Sequence, residues 1–374
     1  MRINNIVLQN FRNYSNLELE FNEHRNIIVG ENAQGKTNLI EAVYLAAFAK
    51  SFRTNNAGDM VKFGEERGHI NVEINSEDID KNIDITILAN GRKMIKKDGK
   101  VVRRTADLLN NIVVIIFSPD DLRIIKDSPD RRRAYINREL SQIRPKYYDV
   151  LKSYSDVLKQ KNSLIKGLSN SANSRTYNDD MMDVYDHQLA DYGYELIRYR
   201  REFVDMLSEE AGEIMSAISG GREELRIEYK STCDYISGPE GRELLYKQFY
   251  HNRQKDIYAG FATLGPHRDD LEFFINGTDA KKYGSQGQQR TIALSLKLAE
   301  IRIAKQVLDE YPVLLLDDVL SELDLDRQRF LVNQIDDVQL FITSAELNEE
   351  VIATLQGGTL FKVEEGTITK VDKY

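Results

Sequence analysis

The stretch GENAQGKTN, residues 30–38, constrains this chain more than any other. Gly30 and Gly35 bracket four residues and are followed by Lys36 and Thr37, the spacing of a loop whose backbone N–H groups wrap phosphates. The apolar run 27–29 precedes it. NLIEAVYLAAFA follows, with Leu39, Ile40, Val43, Tyr44 and Ala47 at helical spacing. A buried strand, a glycine loop and a helix in that order predict an α/β nucleotide-binding core. Lys36 offers a positive charge to the β- and γ-phosphates, the Thr37 hydroxyl suits Mg2+, and the helix aims its positive end at the anion. Gly30, Glu31, Asn32, Ala33, Gln34, Gly35, Lys36, Thr37 and Asn38 are thus read as the nucleotide-binding loop.

The acidic partner of that loop lies about 280 residues further on, in VLLLDD at 313–318. A carboxylate closing a buried apolar strand is costly unless it serves a purpose. Asp317 is read as the Mg2+ ligand shared with Thr37, and Asp318 as the group that orients or deprotonates the attacking water. GTPases and simple kinases place these two elements much closer, and no Asn-Lys-x-Asp motif occurs. The expected fold is therefore α/β, a P-loop ATPase head built from both chain ends, 1–118 and 258–374. A mainly helical second domain, 119–257, is inserted between them.

Composition supports this division. Residues 1–118 and 260–275 carry alternating strand patterns, and GRKMIKKDGKVVRR reads as a hairpin around Lys97-Asp98-Gly99-Lys100. From about 120 to 255 strand signals nearly vanish. SPDRRRAYINREL, 145–168 and 180–217 read as helices, the last two joined by a Ser/Asn-rich connection at 169–180. That pair either projects as an arm, spanning about 40–50 Å, or packs down as a helical subdomain. The single cysteine, Cys233, excludes an internal disulfide and reads as an ordinary thiol. No signal-peptide pattern opens the chain and no stretch approaches eighteen apolar residues, so a cytoplasmic protein with no membrane partner is expected. A net charge of −9 confines any DNA contact to local basic patches.

YGSQGQQR, 283–290, opens the helix TIALSLKLAEIRIAKQVL shortly before VLLLDD. Ser285, exposed N–H groups and a helix N-terminus make a second anion site. One chain needs two such sites if the second closes on the nucleotide of another chain. The order GENAQGKTN, YGSQGQQR, VLLLDDVLSELD, FITSAE resembles an ABC-type ATPase head of the SMC-like kind. NFRNY (10–14), FSPDDL (117–122), SPDRRRAYIN (128–137) and LGPHRDDLEF (264–273) narrow the resemblance to the RecF-type recombination mediators, over almost the whole chain.

The resemblance implies ATP and Mg2+ as cofactors and an ATP-dependent homodimer that sandwiches two nucleotides. It implies binding to single-stranded DNA and to gapped or junction duplex. It further implies a weak DNA-stimulated ATPase used as a switch, which helps load a recombinase with RecR- and RecO-type mediators in DNA repair, replication and the SOS response, on the nucleoid. Carried onto matching positions, Lys36, Asp317 and Asp318 are catalytic, and Thr343 or Ser344 takes the place of the transporters' switch histidine. Ser285, Gly287 and Gln288 would contact the γ-phosphate across the interface, and Asp324 would bridge subunits. Asp318 stands where transporters have Glu, which predicts slow turnover. No Gln ends the NIVVIIF strand, so the γ-phosphate sensor of that loop is unassigned.

Two basic clusters are candidates for DNA phosphates rather than bases. The first is Arg92, Lys93, Lys96, Lys97, Lys100, Arg103 and Arg104 on the hairpin. The second is Arg131, Arg132 and Arg133. His267 is read as structural. The alternative function is an ABC-type transporter subunit, which would need the switch histidine FITSAE lacks, or another SMC-like ATPase subunit.

Overall fold

The structure, a computed structural model, describes residues 1–109, 111–170, 179–345 and 357–371 of the 374-residue chain. Most of the Ser/Asn-rich connection at 169–180 lies outside the described residues, as does Glu346 of FITSAE. The chain divides into two compact units: Met1–Arg123, Glu213–Glu223 and Ser285–Tyr374 form the first, Ile124–Gly212 and Glu224–Gly284 the second.

The first unit contains two six-stranded sheets. One is antiparallel and consists of β1 (Arg2–Phe11), β2 (Tyr14–Glu20), β4 (Arg67–Ser76), β5 (Ile79–Leu88), β6 (Lys93–Lys97) and β7 (Lys100–Val101), in the order β2-β1-β4-β5-β6-β7. Its period-2 pattern buries Ile70, Val72, Ile74, Ile83, Ile85 and Ile87 on one face. The other face carries polar cross-strand pairs such as Asn71–Asn82 at 2.9 Å. The hairpin expected at 97–100 is present, turning through Asp98 (φ 49°) and Gly99 (φ 76°).

The second sheet comprises β3 (Arg25–Val29), β8 (Val114–Phe117), β12 (Val313–Asp317), β13 (Leu340–Ser344), β14 (Thr359–Glu364) and β15 (Thr367–Val371), ordered β15-β14-β3-β13-β12-β8. It is parallel apart from the β14–β15 hairpin. Strands β8, β12 and β13 are buried along their whole length and read as apolar runs, as strands covered on both faces do. Helix α1 (Lys36–Phe48) packs on β4 and β5 of one sheet and on β8, β12 and β13 of the other. Every residue from Leu39 to Phe48 is consequently buried, and the helix has no polar face beyond its first turn. Truncating Leu45 to alanine there would cost about 2–5 kcal/mol. Helices α7 (Gln286–Leu308) and α8 (Leu325–Asn333) complete this unit.

The second unit is built from α2 (Pro129–Ile143), α3 (Pro145–Asn170), residues 179–212 of α4 (Asp179–Ser219) and α5 (Glu240–Ala259). Lys161 of α3, Asp186 of α4 and Arg253 of α5 form a buried ionic cluster, with Lys161 Nζ 2.8 Å and Arg253 Nε 2.6 Å from Asp186. The α3/α4 pair is therefore packed along α5 rather than bare.

The mainly helical second unit also carries a small sheet, and residues 258–284, expected with the head, fall in that unit. β9 (Leu225–Lys230), β10 (Asp270–Ile275) and β11 (Thr278–Asp279) form a three-stranded sheet followed by the short α6 (Ala280–Tyr283), all in the second unit. Of the strand signal at 260–275 only DLEFFI pairs. Residues 261–265 are irregular, with Thr263 N–H held by Asp256 Oδ1 at 2.8 Å. The helix-start pattern at 118–120 yields a single turn of 3-10 helix, Asp121–Arg123. Among the described residues no helix is long and apolar enough to cross a membrane.

Candidate nucleotide-binding site

Strand β3 delivers the loop 30–38 to the N-terminus of α1, and neighbouring backbone holds its shape. Gly35 has φ 127°, a conformation that glycine tolerates best. A Cβ at Gly30 would lie 2.4 Å from the carbonyl oxygen of Val363, so only glycine permits that approach. Asn13 Nδ2 donates to Gln34 O (2.7 Å), Tyr14 OH to Gly35 O (2.9 Å) and Gly366 N–H to Gln34 O (3.2 Å). Lys36 is buried, and its Nζ donates across the loop to Gly30 O (2.7 Å) and Glu31 O (3.0 Å). Helix α1 begins on Gly35 with no side-chain cap and no acidic residue in its first turn. Its leading N–H groups and dipole therefore face an anion without an internal competitor.

Asp317 ends β12 opposite that loop and accepts two hydroxyls on one oxygen, Thr37 Oγ1 at 3.0 Å and Thr343 Oγ1 at 2.8 Å. Burial pushes its carboxyl above the usual range, and Asp318 adds to the rise. Among the described residues Asp317 has no ion-pair partner. A desolvated carboxylate beside a threonine hydroxyl is an all-oxygen donor set of the kind Mg2+ takes with phosphate and water oxygens. Asp318 turns into the left-handed region (φ 53°), and its N–H donates to Thr343 Oγ1 (3.0 Å) and Thr343 O (3.2 Å). The turn sends its half-exposed carboxylate out of the strand.

Thr343 itself is fully buried and spends its hydroxyl on the two aspartates. The hydroxyl that the resemblance sets, with Ser344, in the place of a switch histidine is thus engaged by Asp317 and Asp318 of its own chain.

Ser285 caps α7 through a capping box, accepting Gln288 N–H at 3.2 Å while Gln288 Oε1 accepts Ser285 N–H at 2.9 Å. Gln288 Nε2 donates to Glu223 at 2.8 Å. Arg327 clamps the first turn of α7, donating to Thr291 Oγ1 (2.8 Å) and Gly287 O (3.3 Å). Asp324 caps α8 by accepting Arg327 N–H at 3.0 Å and pairs with the Arg327 guanidinium. Among the described residues no hydrogen bond joins Ser285, Gly287 or Gln288 to the loop 30–38 of the same chain.

Three features escaped the sequence. Arg12 of NFRNY binds Glu41 of α1 in a bidentate pair (2.8 and 2.6 Å), meeting the one carboxylate buried in that helix. Arg53 donates to Asn38 Oδ1 at 2.7 Å, and with Arg12, Asn13, Asp59 and Lys62 it lines a cleft of about 610 Å3 beside the loop. Lys297 of α7 is buried between Asp121 (3.3 Å) and Glu300 (3.2 Å), and Asp121 accepts Ser118 N–H at 2.9 Å. An ionic link thus runs from the loop after β8 to the helix that YGSQGQQR opens. NFRNY and FSPDDL held one side of two of these contacts, but their partners are remote in sequence.

The basic candidates separate. Arg132 is buried and bidentate to Asp270 (2.6 and 2.9 Å), with a further bond to Asp127 O at 2.6 Å. Arg133 donates to Asp269 O at 2.7 Å and pairs with Asp130. Arg132 is thereby engaged in the interior of the second unit, whereas Arg133 is partly exposed. Arg131 is exposed. On the hairpin, Lys93 donates to Ala49 O, and burial, with Lys50 nearby, lowers its pKa. Arg104 pairs with Asp107 at 2.6 Å. Lys97 lies opposite Ile83 and Lys96 opposite Asp84, so they occupy opposite faces of β6. Arg92, Lys100 and Arg103 are exposed. His267 is structural as read: its ring meets Tyr154 OH (2.8 Å) and Ala262 O (3.0 Å), and burial lowers its pKa to about 4. Burial also pushes the Cys233 thiol up to about 12, which removes thiolate reactivity.

Comparison with known proteins agrees with this geometry. The family described as RecF/RecN/SMC N terminal domain matches residues 2–368. Proteins named DNA replication and repair protein RecF are similar throughout. That of Clostridium perfringens (strain SM101 / Type A) is 39% identical over 368 residues, covering 98% of this chain and 99% of the relative. That of Clostridioides difficile (strain 630) is 40% identical over 376 residues, covering 100% and 99%. A solved structure of the recombination mediator protein RecF with ATP in the RecFOR pathway superposes with a TM-score of 0.90 at 35% identity, covering 99% of this chain and 97% of that one. An Smc head bound to the C-winged helix domain of ScpA shares the fold alone, with a TM-score of 0.58 at 16% identity over 99% and 97% of the two chains. The chain has the ABC-type ATPase head fold and belongs to the RecF family, within the RecF/RecN/SMC group.

Proposed function

We propose that the chain is an ATP-gated DNA-binding switch of recombinational gap repair. The observation that carries the reading is the convergence of the Thr37 and Thr343 hydroxyls on one carboxylate oxygen of Asp317, at 3.0 and 2.8 Å, beside an uncapped α1. The N–H groups of 31–37 and Lys36 would hold the ATP phosphates, with Thr37 and Asp317 as the protein ligands of Mg2+. The cleft lined by Arg12, Arg53 and Asp59 would take the nucleoside end. When bound, Mg2+ supplies charge neutralisation at the β- and γ-phosphates. Asp318 orients and deprotonates the attacking water, and its short side chain supports slow turnover.

The capped N-terminus of α7, with Ser285, Gly287 and Gln288, would close on the γ-phosphate held by a second copy, and Asp324 would face that interface. The dimer would hold single-stranded DNA and gapped or junction duplex and assist recombinase loading with RecR- and RecO-type partners, in the cytoplasm on the nucleoid. Hydrolysis, stimulated by DNA, would reset it. The comparison protein described with ATP in the RecFOR pathway supports this reading.

Sizing in solution tests it, with no nucleotide, ADP or a non-hydrolysable ATP analogue, each with and without gapped duplex. A dimer only with the analogue, strengthened by DNA, is expected. A monomer under every condition would remove the role assigned to Ser285 and sink the switch.

A further inference from the structure

The solvent side of α5 departs from the composition of this acidic chain. From Leu244 to Arg268 the one carboxylate is Asp256, buried 3.2 Å from Lys161 Nζ, whereas the whole chain carries 60 acidic residues. The positions that α5 turns outward from its second turn onward are Lys247, Tyr250, His251, Gln254, Lys255 and Tyr258. Tyr258 is 94% exposed, and Tyr250 and Phe261 are also exposed. Gly260 (φ 79°) closes the helix, its N–H bound to Asp256 O at 2.9 Å, and directs the chain into Phe261. The Arg268 guanidinium then lies 4.7 Å from the Phe261 ring centroid.

The neighbouring acids of α4 are engaged by α5 itself. Asp183 of α4 accepts Arg253 at 2.8 Å and Tyr246 OH at 2.7 Å, and Asp186 accepts Arg253 at 2.6 Å. Lys161, Asp186, Arg253 and Asp256 are buried beneath the helix, and the rings and cations lie on its outward side.

Single exposed rings are ordinary on protein surfaces. Tyr258 and Phe261 at one helix end, with Tyr250 about two turns back on the same helix and Lys255, His251 and Arg268 interleaved, make a base-stacking platform with its own phosphate counter-charges. Duplex DNA hides its base faces and would leave the rings without a task. We propose that this end of the second unit is a single-stranded DNA-binding face, with Tyr258 and Phe261 stacking on bases and Lys255 and Arg268 meeting phosphates. The proposal rests on the reading of the chain as a DNA-binding switch and assigns the single-stranded side of the junction to these residues.

The chain contains no tryptophan, so Tyr258→Trp introduces one indole reporter at the centre of the face. The full chain with that substitution is titrated with a single-stranded oligodeoxynucleotide and with blunt duplex, in the presence of a non-hydrolysable ATP analogue. Anisotropy of the labelled oligonucleotide is followed in parallel for the wild type and for Tyr258→Ala/Phe261→Ala. Nucleotide binding by the same samples verifies that the first unit is folded.

Strong quenching of the indole by the single strand and little by duplex is expected, with single-strand affinity lost about tenfold or more in the double variant. Indole emission that does not move while the oligonucleotide binds, or a double variant that binds like the wild type, overturns the proposal and leaves DNA binding to another surface. A wild type that binds neither strand form in any nucleotide state overturns the DNA-binding reading itself, and this face with it.

Discussion

The Thr343 hydroxyl, fully buried, donates to Asp317 Oδ1 over 2.8 Å and accepts the amide of Asp318 at 3.0 Å, so one side chain sets both acidic residues of the site. Thr343→Val removes both bonds and leaves the Asp318 N–H only its longer bond to Thr343 O. We expect ATP hydrolysis to fall at least tenfold, with a stability loss of about 1–3 kcal/mol. Thr343→Ser should restore most of the rate, because the hydroxyl rather than the methyl carries the effect. Phosphate release under single-turnover conditions, beside analogue affinity, is the measurement; a Val variant with full activity would refute the positioning role.

Asp317 is ionised at a stability cost, since burial raises its carboxyl above the value it has when unfolded. Asp317→Asn keeps an acceptor for Thr37 and Thr343 and removes the charge. Hydrolysis should be abolished while the thermal midpoint without nucleotide rises, by about 2 °C for each kcal/mol recovered in a chain this long. Differential scanning calorimetry without added Mg2+ or nucleotide decides it, and a lowered midpoint would contradict the desolvation account.

Lys297 is the cation between Asp121 and Glu300. Lys297→Met strands two carboxylates away from water and should cost about 3–5 kcal/mol. Adding Asp121→Asn and Glu300→Gln should recover much of that loss in urea denaturation. No recovery would mean that packing, not charge, makes Lys297 necessary.

Arg131 and Arg132 are adjacent yet opposite in consequence. Arg132→Ala leaves Asp270 without its bidentate partner and should destabilise the second unit by about 3–5 kcal/mol, whereas Arg131→Ala should stay within about 0.5 kcal/mol. Chemical denaturation of the two variants side by side is sufficient. Equal midpoints would return Arg132 to the surface.

His267 is neutral when folded, with its pKa near 4 against an ordinary 6.5. Between those values the unfolded chain binds the extra proton, so stability is full above about pH 6.5 and falls as pH drops towards 4, by up to about 1.4 kcal/mol per pH unit. His267→Gln should flatten that part of the wild-type curve. Urea midpoints of both proteins at pH 7, 6 and 5 give the comparison, and parallel curves would exclude His267 as the cause.

The loop 30–38, the acidic end of β12 and the cap of α7 were legible because each is a local pattern: glycine spacing, an apolar run closed by aspartate, a Ser followed three residues on by Gln. Residues 258–284 were misassigned because β10 finds its partner in β9, a short strand inside a region whose helical periodicity dominates. Arg12 with Glu41 and Lys297 with Asp121 are products of the tertiary fold, and no window of the sequence contains both members. The three arginines at 131–133 look alike in one dimension, but successive helix positions face different ways, so Arg131 is exposed, Arg132 is buried and Arg133 lies between the two.

Helix α1 is enclosed by both sheets from Leu39 to Phe48. A rod gripped on every side cannot swing or slide by a fraction of a turn without breaking close packing along its length. The phosphate loop at its tip is therefore an anvil rather than a hinge. News of what sits on that anvil has to leave through the parts braced against it: the aspartates that Thr343 tethers and the loop that Lys297 ties to α7.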